Sequence, residues 1–250
     1  MSEKLAIVLA AGKGTRMESD LPKVLVHARG RPMIEYVLAA AAGGGVDRTI
    51  VVVGYRAGDV RGALEGRQQI VFAHQAEQLG TGHAVMACRD YLAGHDGPVL
   101  VVAGDAPLMQ SESIRALLNQ YDRRPVACIL GTVHKQDPTG LGRIIRDARG
   151  DFVAIVEEKE ATDQQRRVTE VNMSYYVFRC RDLLEALDQI RADNSQEEYY
   201  LTDCPGVLKA AGKEVQALNV LKPCEALAVN NLEELAAVEA VMAEKALEAA

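Results

Sequence analysis

The sequence predicts an α/β protein: a doubly wound, mostly parallel sheet that turns mixed in its second half, closed by a helix at the carboxyl end. Three observations carry this expectation. Short Val/Ile/Leu-rich runs alternate with helical patterns through the first 124 residues, those runs are almost unbroken in apolar residues, and residues 232–250 are rich in Ala, Glu and Leu without Gly or Pro. Unbroken apolar runs are what strands look like when helices cover both faces of a parallel sheet.

In order, LAIVL at 5–9 reads as the first strand, followed by a helical pattern at 33–42, TIVVV at 49–53 and a helix at 59–64. QIVFA at 69–73, a helix at 83–92, PVLVVAG at 98–104 and a helix at 114–121 continue the alternation, the sequence form of repeated βαβ units. Beyond residue 124 the rhythm lengthens to VACILGTVH, GRIIRD, DFVAIVEE and VNMSYYVF, with a Gly150–Asp151 turn between the middle two, so some of these strands are expected to be antiparallel. No Pro/Ser/Gly-rich linker separates the halves, which predicts one domain of two lobes, about 1–124 and 125–231. Asn231 is a candidate N-cap for the last helix, with Glu234 three residues on.

Composition limits what such a protein can do. The formal net charge is −7 and no basic run occurs, which argues against nucleic acid as a partner while leaving room for a local phosphate site. No apolar run approaches the roughly 20 residues that span a bilayer, and the amino terminus passes from a short apolar run into glycine and charge, so neither a membrane partner nor a signal peptide is expected and the cytoplasm is the expected location. The 5 cysteines are scattered and the 5 histidines dispersed, without the spacing of a disulfide framework, a zinc site or a transition-metal cluster.

The chemistry is concentrated in LAAGKGTRM. Ala10, Ala11, Gly12, Lys13 and Gly14 follow the first strand, and Arg16 and Lys23 follow them, the latter behind Pro22. Glycines let backbone N–H groups approach an anion, and consecutive amides in such a turn form an anion-binding concavity. A Walker loop would need G-x-x-x-x-G-K-[ST], and a dinucleotide fingerprint would need a third glycine where Met17 stands; neither is present. Gln75 offers an amide, both donor and acceptor, beside a second glycine turn at Gly80-Thr81. Asp105 directly follows a parallel strand, where open α/β sheets bind ligands.

These strings resemble a family, the sugar-1-phosphate nucleotidylyltransferases with a Rossmann-like core. With QAEQLGTGHA (75–84), GDAPL, DPTGLGRI, VEEKEAT, EVN, EYYLTD and VNN in order along the chain, the sequence looks like the uridylyltransferase domain of the bifunctional N-acetylglucosamine-1-phosphate uridylyltransferases. The resemblance implies Mg²⁺-dependent transfer of UMP from UTP to N-acetylglucosamine-1-phosphate. It implies a nucleotide site of Ala10, Ala11, Gly12, Lys13, Gly14, Gln75, Gly80 and Thr81, catalytic cations Arg16 and Lys23, metal ligands Asp105 and Asn230, and a sugar site of Gly142, Glu157 and Asn172. A phosphate monoester, with its second pKa near about 6, is already an ionised nucleophile at neutral pH, so no general base is needed.

Two positions depart from the family pattern near the implied sugar pocket: Ala103, where members often carry tyrosine, and Met173-Ser174, in place of a small residue and glycine. Transfer to another sugar-1-phosphate or from another base, such as thymidylyl transfer to glucose-1-phosphate, is the alternative within the class. Outside it stand a nucleotide-sugar sensor without catalysis and an NAD-linked oxidoreductase, the latter disfavoured by the missing third glycine and ribose-binding acid. Bifunctional members continue into a left-handed β-helix that carries acetyl transfer and builds trimers. Hexapeptide periodicity is absent here, so the expectation is nucleotidyl transfer alone by a monomer or weak oligomer.

Overall fold

The structure, a computed structural model, describes residues 2–14, 17 and 19–248. From the amino end it runs β1 (Leu5–Ala10), a 3-10 turn at Lys23–Leu25, a small hairpin of β2 (His27–Ala28) and β3 (Arg31–Pro32), α1 (Met33–Gly44), β4 (Arg48–Val53), α2 (Ala57–Ala63) and β5 (Ile70–His74). Then come α3 (Thr81–Met86), α4 (Arg89–Leu92), β6 (Pro98–Ala103), α5 (Ser111–Arg123), β7 (Cys128–His134), β8 (Arg143–Arg146) and β9 (Phe152–Val156). The chain finishes with α6 (Asp163–Arg166), β10 (Glu170–Arg179), α7 (Cys180–Leu187), α8 (Asp203–Ala210), β11 (Val215–Asn219) and α9 (Leu232–Glu248).

One sheet holds both halves, in the order β11-β7-β10-β6-β1-β4-β5. Pairings β1·β4, β1·β6, β4·β5 and β7·β11 are parallel, while β10 runs antiparallel between β6 and β7. The fold is therefore the mostly parallel, Rossmann-like mixed sheet expected from the sequence. β8 pairs antiparallel with both β9 and the start of β10, forming a ribbon off the main sheet. The turn between β8 and β9 closes with Asp147 N–H donating to Asp151 O at 2.9 Å.

Period-two alternation in the strands sorts their side chains onto two buried layers. Leu5, Ile7, Ile50, Val52, Val99, Val101, Tyr176 and Phe178 face one layer, shared with residues of α3, α4, α7 and α8. Ala6, Val8, Val51, Val53, Leu100, Val102, Tyr175 and Val177 face the other. There α5 contributes Ile114, Leu117, Leu118 and Tyr121, the i, i+3, i+4, i+7 stripe of a helix lying on a sheet. α9 docks apart from both, setting Leu235 and Val238 against Met17, Ala28, Leu108 and Val229. Asn231 caps it as expected, accepting Glu234 N–H at 2.8 Å.

The single helix expected at 83–92 is instead two, α3 and α4. Cys88 N–H bonds to Val85 O at 2.9 Å, a tightening from i−4 to i−3 pairing that turns the axis and keeps both Cys88 and Leu92 buried. Four of the five cysteines are buried, and all are free thiols. Among the described residues no helix is long and apolar enough to cross a membrane.

The chain direction reverses its path at β1, going to β4 and β5 on one side and to β6 on the other. The carboxyl ends of β1 and β6 consequently flank a topological switch point, the place where open α/β sheets form a ligand crevice. β10, being antiparallel, brings its amino-terminal residues Asn172 to Ser174 to the same edge.

Candidate active site

Three adjoining cavities form one trench along that edge. The first, about 290 Å³, is lined by Ala10, Ala11, Gly12, Gln75, Gly80 and Thr81, with Lys23, Ala103, Asp105, Ser174 and Glu198 at its inner end. The second, about 460 Å³, shares Lys23, Ala103, Asp105 and Ser174 and adds Lys135, Asn172 and Asn230. The third, about 640 Å³, is lined by Gly142, Glu157, Asn172, Glu198, Tyr200 and Thr202, and also touches Thr81 and Ser174. Segments distant in sequence thus meet, and Ser174 stands where all three cavities join.

At the first cavity the chain leaves β1 and turns at Gly14, where φ is +66° and Met17 N–H donates to Gly14 O at 3.0 Å. This is left-handed backbone, open to glycine at little cost. A Cβ at Gly14 would also lie 2.6 Å from Lys23 Cβ, so the glycine lets the Lys23 turn pack directly upon the loop. Gly12 has nothing within 4 Å of its Cβ position and is exposed to the cavity side. Lys13 points elsewhere: its Nζ lies 5.4 Å from the centre of the Tyr55 ring, and it does not line the trench. Arg16 lies outside the described residues.

Gln75 follows β5, is only 4% exposed, and donates through Nε2 to Gly80 O at 3.1 Å. Gly80, with φ +101°, is packed against the segment after α7: Tyr199 N–H donates to Leu79 O at 2.9 Å and Gly82 N–H to Tyr199 O at 2.7 Å. Thr81 does not cap α3, whose N-cap is Gly80; its hydroxyl accepts Leu201 N–H at 3.0 Å instead. These bonds staple residues 199–201 to the Gly80 turn and place Glu198 on the trench, a residue that sequence reasoning quoted only inside a motif.

At the centre, Lys23 Nζ lies 2.5 Å from Asp105 Oδ2 and donates to Asn230 Oδ1 at 3.2 Å. Two oxygen donors far apart in sequence, Asp105 and Asn230, thus converge on one cationic position. A hard, all-oxygen pair of this kind suits Mg²⁺, which binds through one or two carboxylates and takes its remaining ligands from water and substrate phosphates. Among the described residues no three His, Cys, Asp or Glu side chains come together as a metal-ligand group. Asn230 is held in place by its own N–H, which donates to Glu234 Oε2 at 2.6 Å in the first turn of α9.

In the third cavity the expected sugar residues do come together. Gly142 O accepts Asn172 N–H at 2.9 Å, and the Gly142 Cβ position is 3.5 Å from both Glu157 carboxylate oxygens. Burial pushes the Glu157 carboxyl up, opposed by a hydrogen bond from Thr202. Asp203, at the start of α8, is pushed up to about 6, by burial first and then by Glu157 and Asp193. The Asn172 side chain is already engaged: Nδ2 donates to Tyr176 OH at 2.7 Å and Oδ1 accepts Ser174 N–H at 3.2 Å. Arg143, 1% exposed, anchors the loop before Gly142 through Glu158 Oε2 at 2.6 Å and the carbonyl of Leu141. That guanidinium holds the Glu158 carboxyl below its usual range.

A Rossmann-like sheet with a glycine turn, a lysine ammonium and an oxygen-donor pair at its switch point has the makings of a nucleotide-binding enzyme of the transferase kind. The chain belongs to the MobA-like NTP transferase domain family, whose model matches residues 6–203. It is 47% identical to the Bifunctional protein GlmU of Streptococcus suis (strain 98HAH33) over 97% of this chain and 52% of that protein. It is 42% identical to the Bifunctional protein GlmU of Pelotomaculum thermopropionicum over 97% of this chain and 53% of that protein. The chain therefore spans about half the length of the curated relatives it matches. In fold it is similar to UDP-glucose pyrophosphorylase solved with UDP-glucose, at a TM-score of 0.78 and 16% identity over 98% of this chain and 100% of that one.

Proposed function

We propose that this chain transfers UMP from UTP to N-acetylglucosamine-1-phosphate, with Mg²⁺, giving UDP-N-acetylglucosamine and pyrophosphate. Residues 1–124 supply the nucleotide site and residues 125–231 the sugar site. The observation that carries the reading is the Lys23 ammonium, 2.5 Å from Asp105 and 3.2 Å from Asn230, where the first cavity meets the second.

Backbone from Ala10 to Gly14 faces the triphosphate, and Gln75 with Gly80 and Thr81 faces the base. Lys23, and Arg16 from the loop outside the described residues, neutralise charge gathering on the α-phosphate as the sugar phosphate oxygen attacks it and pyrophosphate leaves. Asp105 and Asn230 would hold Mg²⁺, which would supply further positive charge to the reacting phosphates. Glu157, Asn172 and Gly142 orient the sugar, and alignment of the two reactants supplies roughly 7–11 kcal/mol of the acceleration. No side chain is required as base, because the attacking phosphate is already ionised at neutral pH.

Ala103 and Ser174 both line the trench, and they favour one second reading, transfer to a different sugar-1-phosphate by the same chemistry. Pyrophosphate release measured across UTP, dTTP and CTP with N-acetylglucosamine-1-phosphate and glucose-1-phosphate tests both. Highest kcat/KM for the UTP and N-acetylglucosamine-1-phosphate pair supports the first; preference for glucose-1-phosphate replaces it with the second; no release with any pair refutes both.

A further inference from the structure

We infer that His83 determines which pyrimidine the base cavity accepts, by locking the Gln75 amide so that only its oxygen faces the nucleotide. This rests on the proposed reading of that cavity as the uridine site. Gln75 Nε2 donates to Gly80 O at 3.1 Å and lies 3.1 Å from His83 Nδ1. An amide nitrogen carries two protons and cannot accept, so both protons are taken up inside the protein, and the imidazole nitrogen is the acceptor with its own proton on Nε2. Turning the amide over would set Oε1 against Gly80 O, two acceptors face to face. Oε1 is thereby left for the cavity, and among the described residues no donor is paired with it.

His83 is itself fixed. It lies within α3, its carbonyl accepts Ala87 N–H at 3.2 Å, and its ring packs 6.3 Å from Tyr199 at 31°. Tyr199 belongs to the segment stapled to the Gly80 turn, so ring, amide and turn are set by one another. A fixed oxygen acceptor matches the N3–H of uracil or thymine. Cytosine presents a bare N3 lone pair at the same place, and two facing acceptors leave both unpaired beside a Gln75 side chain that is itself buried. Without His83 only Gly80 O still restrains the amide, which then turns more readily to present its NH₂ group and tolerate cytosine.

The test compares kcat/KM for UTP and CTP in the whole chain and in two variants, His83→Phe and His83→Asn. Phenylalanine keeps a ring beside Tyr199 but accepts nothing, whereas the Asn Oδ1 takes the place of Nδ1 and accepts. The expected result is that His83→Phe lowers the UTP-to-CTP ratio by about tenfold, the worth of one hydrogen bond, through KM more than kcat, and that His83→Asn restores it. A ratio unchanged in His83→Phe, or an equal loss on both nucleotides as a purely structural role would give, overturns the inference. Should His83→Phe fail to fold, long-range ¹H–¹⁵N NMR on the unaltered protein decides: Nε2–H with a bare Nδ1 supports the inference, and Nδ1–H or a doubly protonated ring refutes it. Failure of the unaltered protein to prefer UTP over CTP would instead overturn the uridine reading on which the inference stands.

Discussion

Replacing Gly14 with alanine tests the link between the loop backbone and the catalytic cation. At φ +66° an L-residue costs about 1–2 kcal/mol relative to glycine. The added Cβ would sit 2.6 Å from Lys23 Cβ and 3.3 Å from Lys23 Cα, against an ordinary contact of 3.4–4 Å. These are atoms at the root of the side chain, so relief requires the backbone of the Lys23 turn to retreat by roughly 1 Å, an overpacking cost of about 1–3 kcal/mol. Together the two effects predict about 2–5 kcal/mol of destabilisation, or a Tm lower by on the order of 4–20 °C in a chain of this size. The same retreat separates Lys23 from Asp105, now 2.5 Å apart, and a displacement of about 1 Å in a catalytic group is worth on the order of 10² in kcat. Gly12→Ala is the control: its Cβ meets nothing within 4 Å, so Tm should hold while KM for UTP rises through lost approach of the triphosphate. Thermal melts and steady-state pyrophosphate release read both. Wild-type melting and turnover in Gly14→Ala would refute the reasoning.

Three further outcomes are expected. Lys23→Ala and Arg16→Ala should each lower kcat by on the order of 10²-fold, as loss of a preorganised charge does; steady-state kinetics unchanged in both would contradict the roles proposed for them. Asp203, raised to about 6 from 3.8 by burial and acidic neighbours, holds an extra proton in the folded chain between those values, so its stabilising contribution is present below 3.8 and lost as pH rises through about 6. Asp203→Asn should therefore gain about 1–2 kcal/mol over the unaltered protein near pH 8 and little near pH 4, after allowance for solvent screening, and denaturant melts showing an equal gain at both would count against this. Glu225, 3% exposed, accepts from Gln110 N–H, Tyr175 OH, Ser113 Oγ and Lys222 N–H. Turning one of its oxygens into an amide in Glu225→Gln strands two of these donors and should cost about 3–5 kcal/mol in denaturant unfolding; a cost under about 1 kcal/mol would mean the cluster relaxes.

The parallel strands and their helices were legible because burial on both faces leaves an unbroken apolar signature, seen in LAIVLA and PVLVVA. The path of the second half was not. The antiparallel insertion of β10 between β6 and β7 is a tertiary choice, since no local pattern records which strand lies beside which. β11 escaped notice because Val215–Asn219 is short and only partly apolar, its pairing with β7 doing what its composition does not. In the site, Asp105, Gln75 and the glycine loop could be read from their positions at strand ends. The direction of Lys13 could not be read, because a cation beside a glycine turn carries no mark of where its side chain lies, here over Tyr55. His83, Ser174 and Glu198 gained meaning only in the folded chain: His83 from the side chain of Gln75 and the ring of Tyr199, Ser174 from a backbone turn with φ +58°, and Glu198 from the bonds that Tyr199 and Leu201 make to Leu79, Thr81 and Gly82.

A crystal structure of the chain with UTP and Mg²⁺ tests the account most directly. It should place uracil N3 against Gln75 Oε1, the triphosphate along residues 10–14, and the metal on Asp105. A nucleotide bound anywhere else on the molecule, or a metal ion that leaves Asp105 untouched, would contradict it.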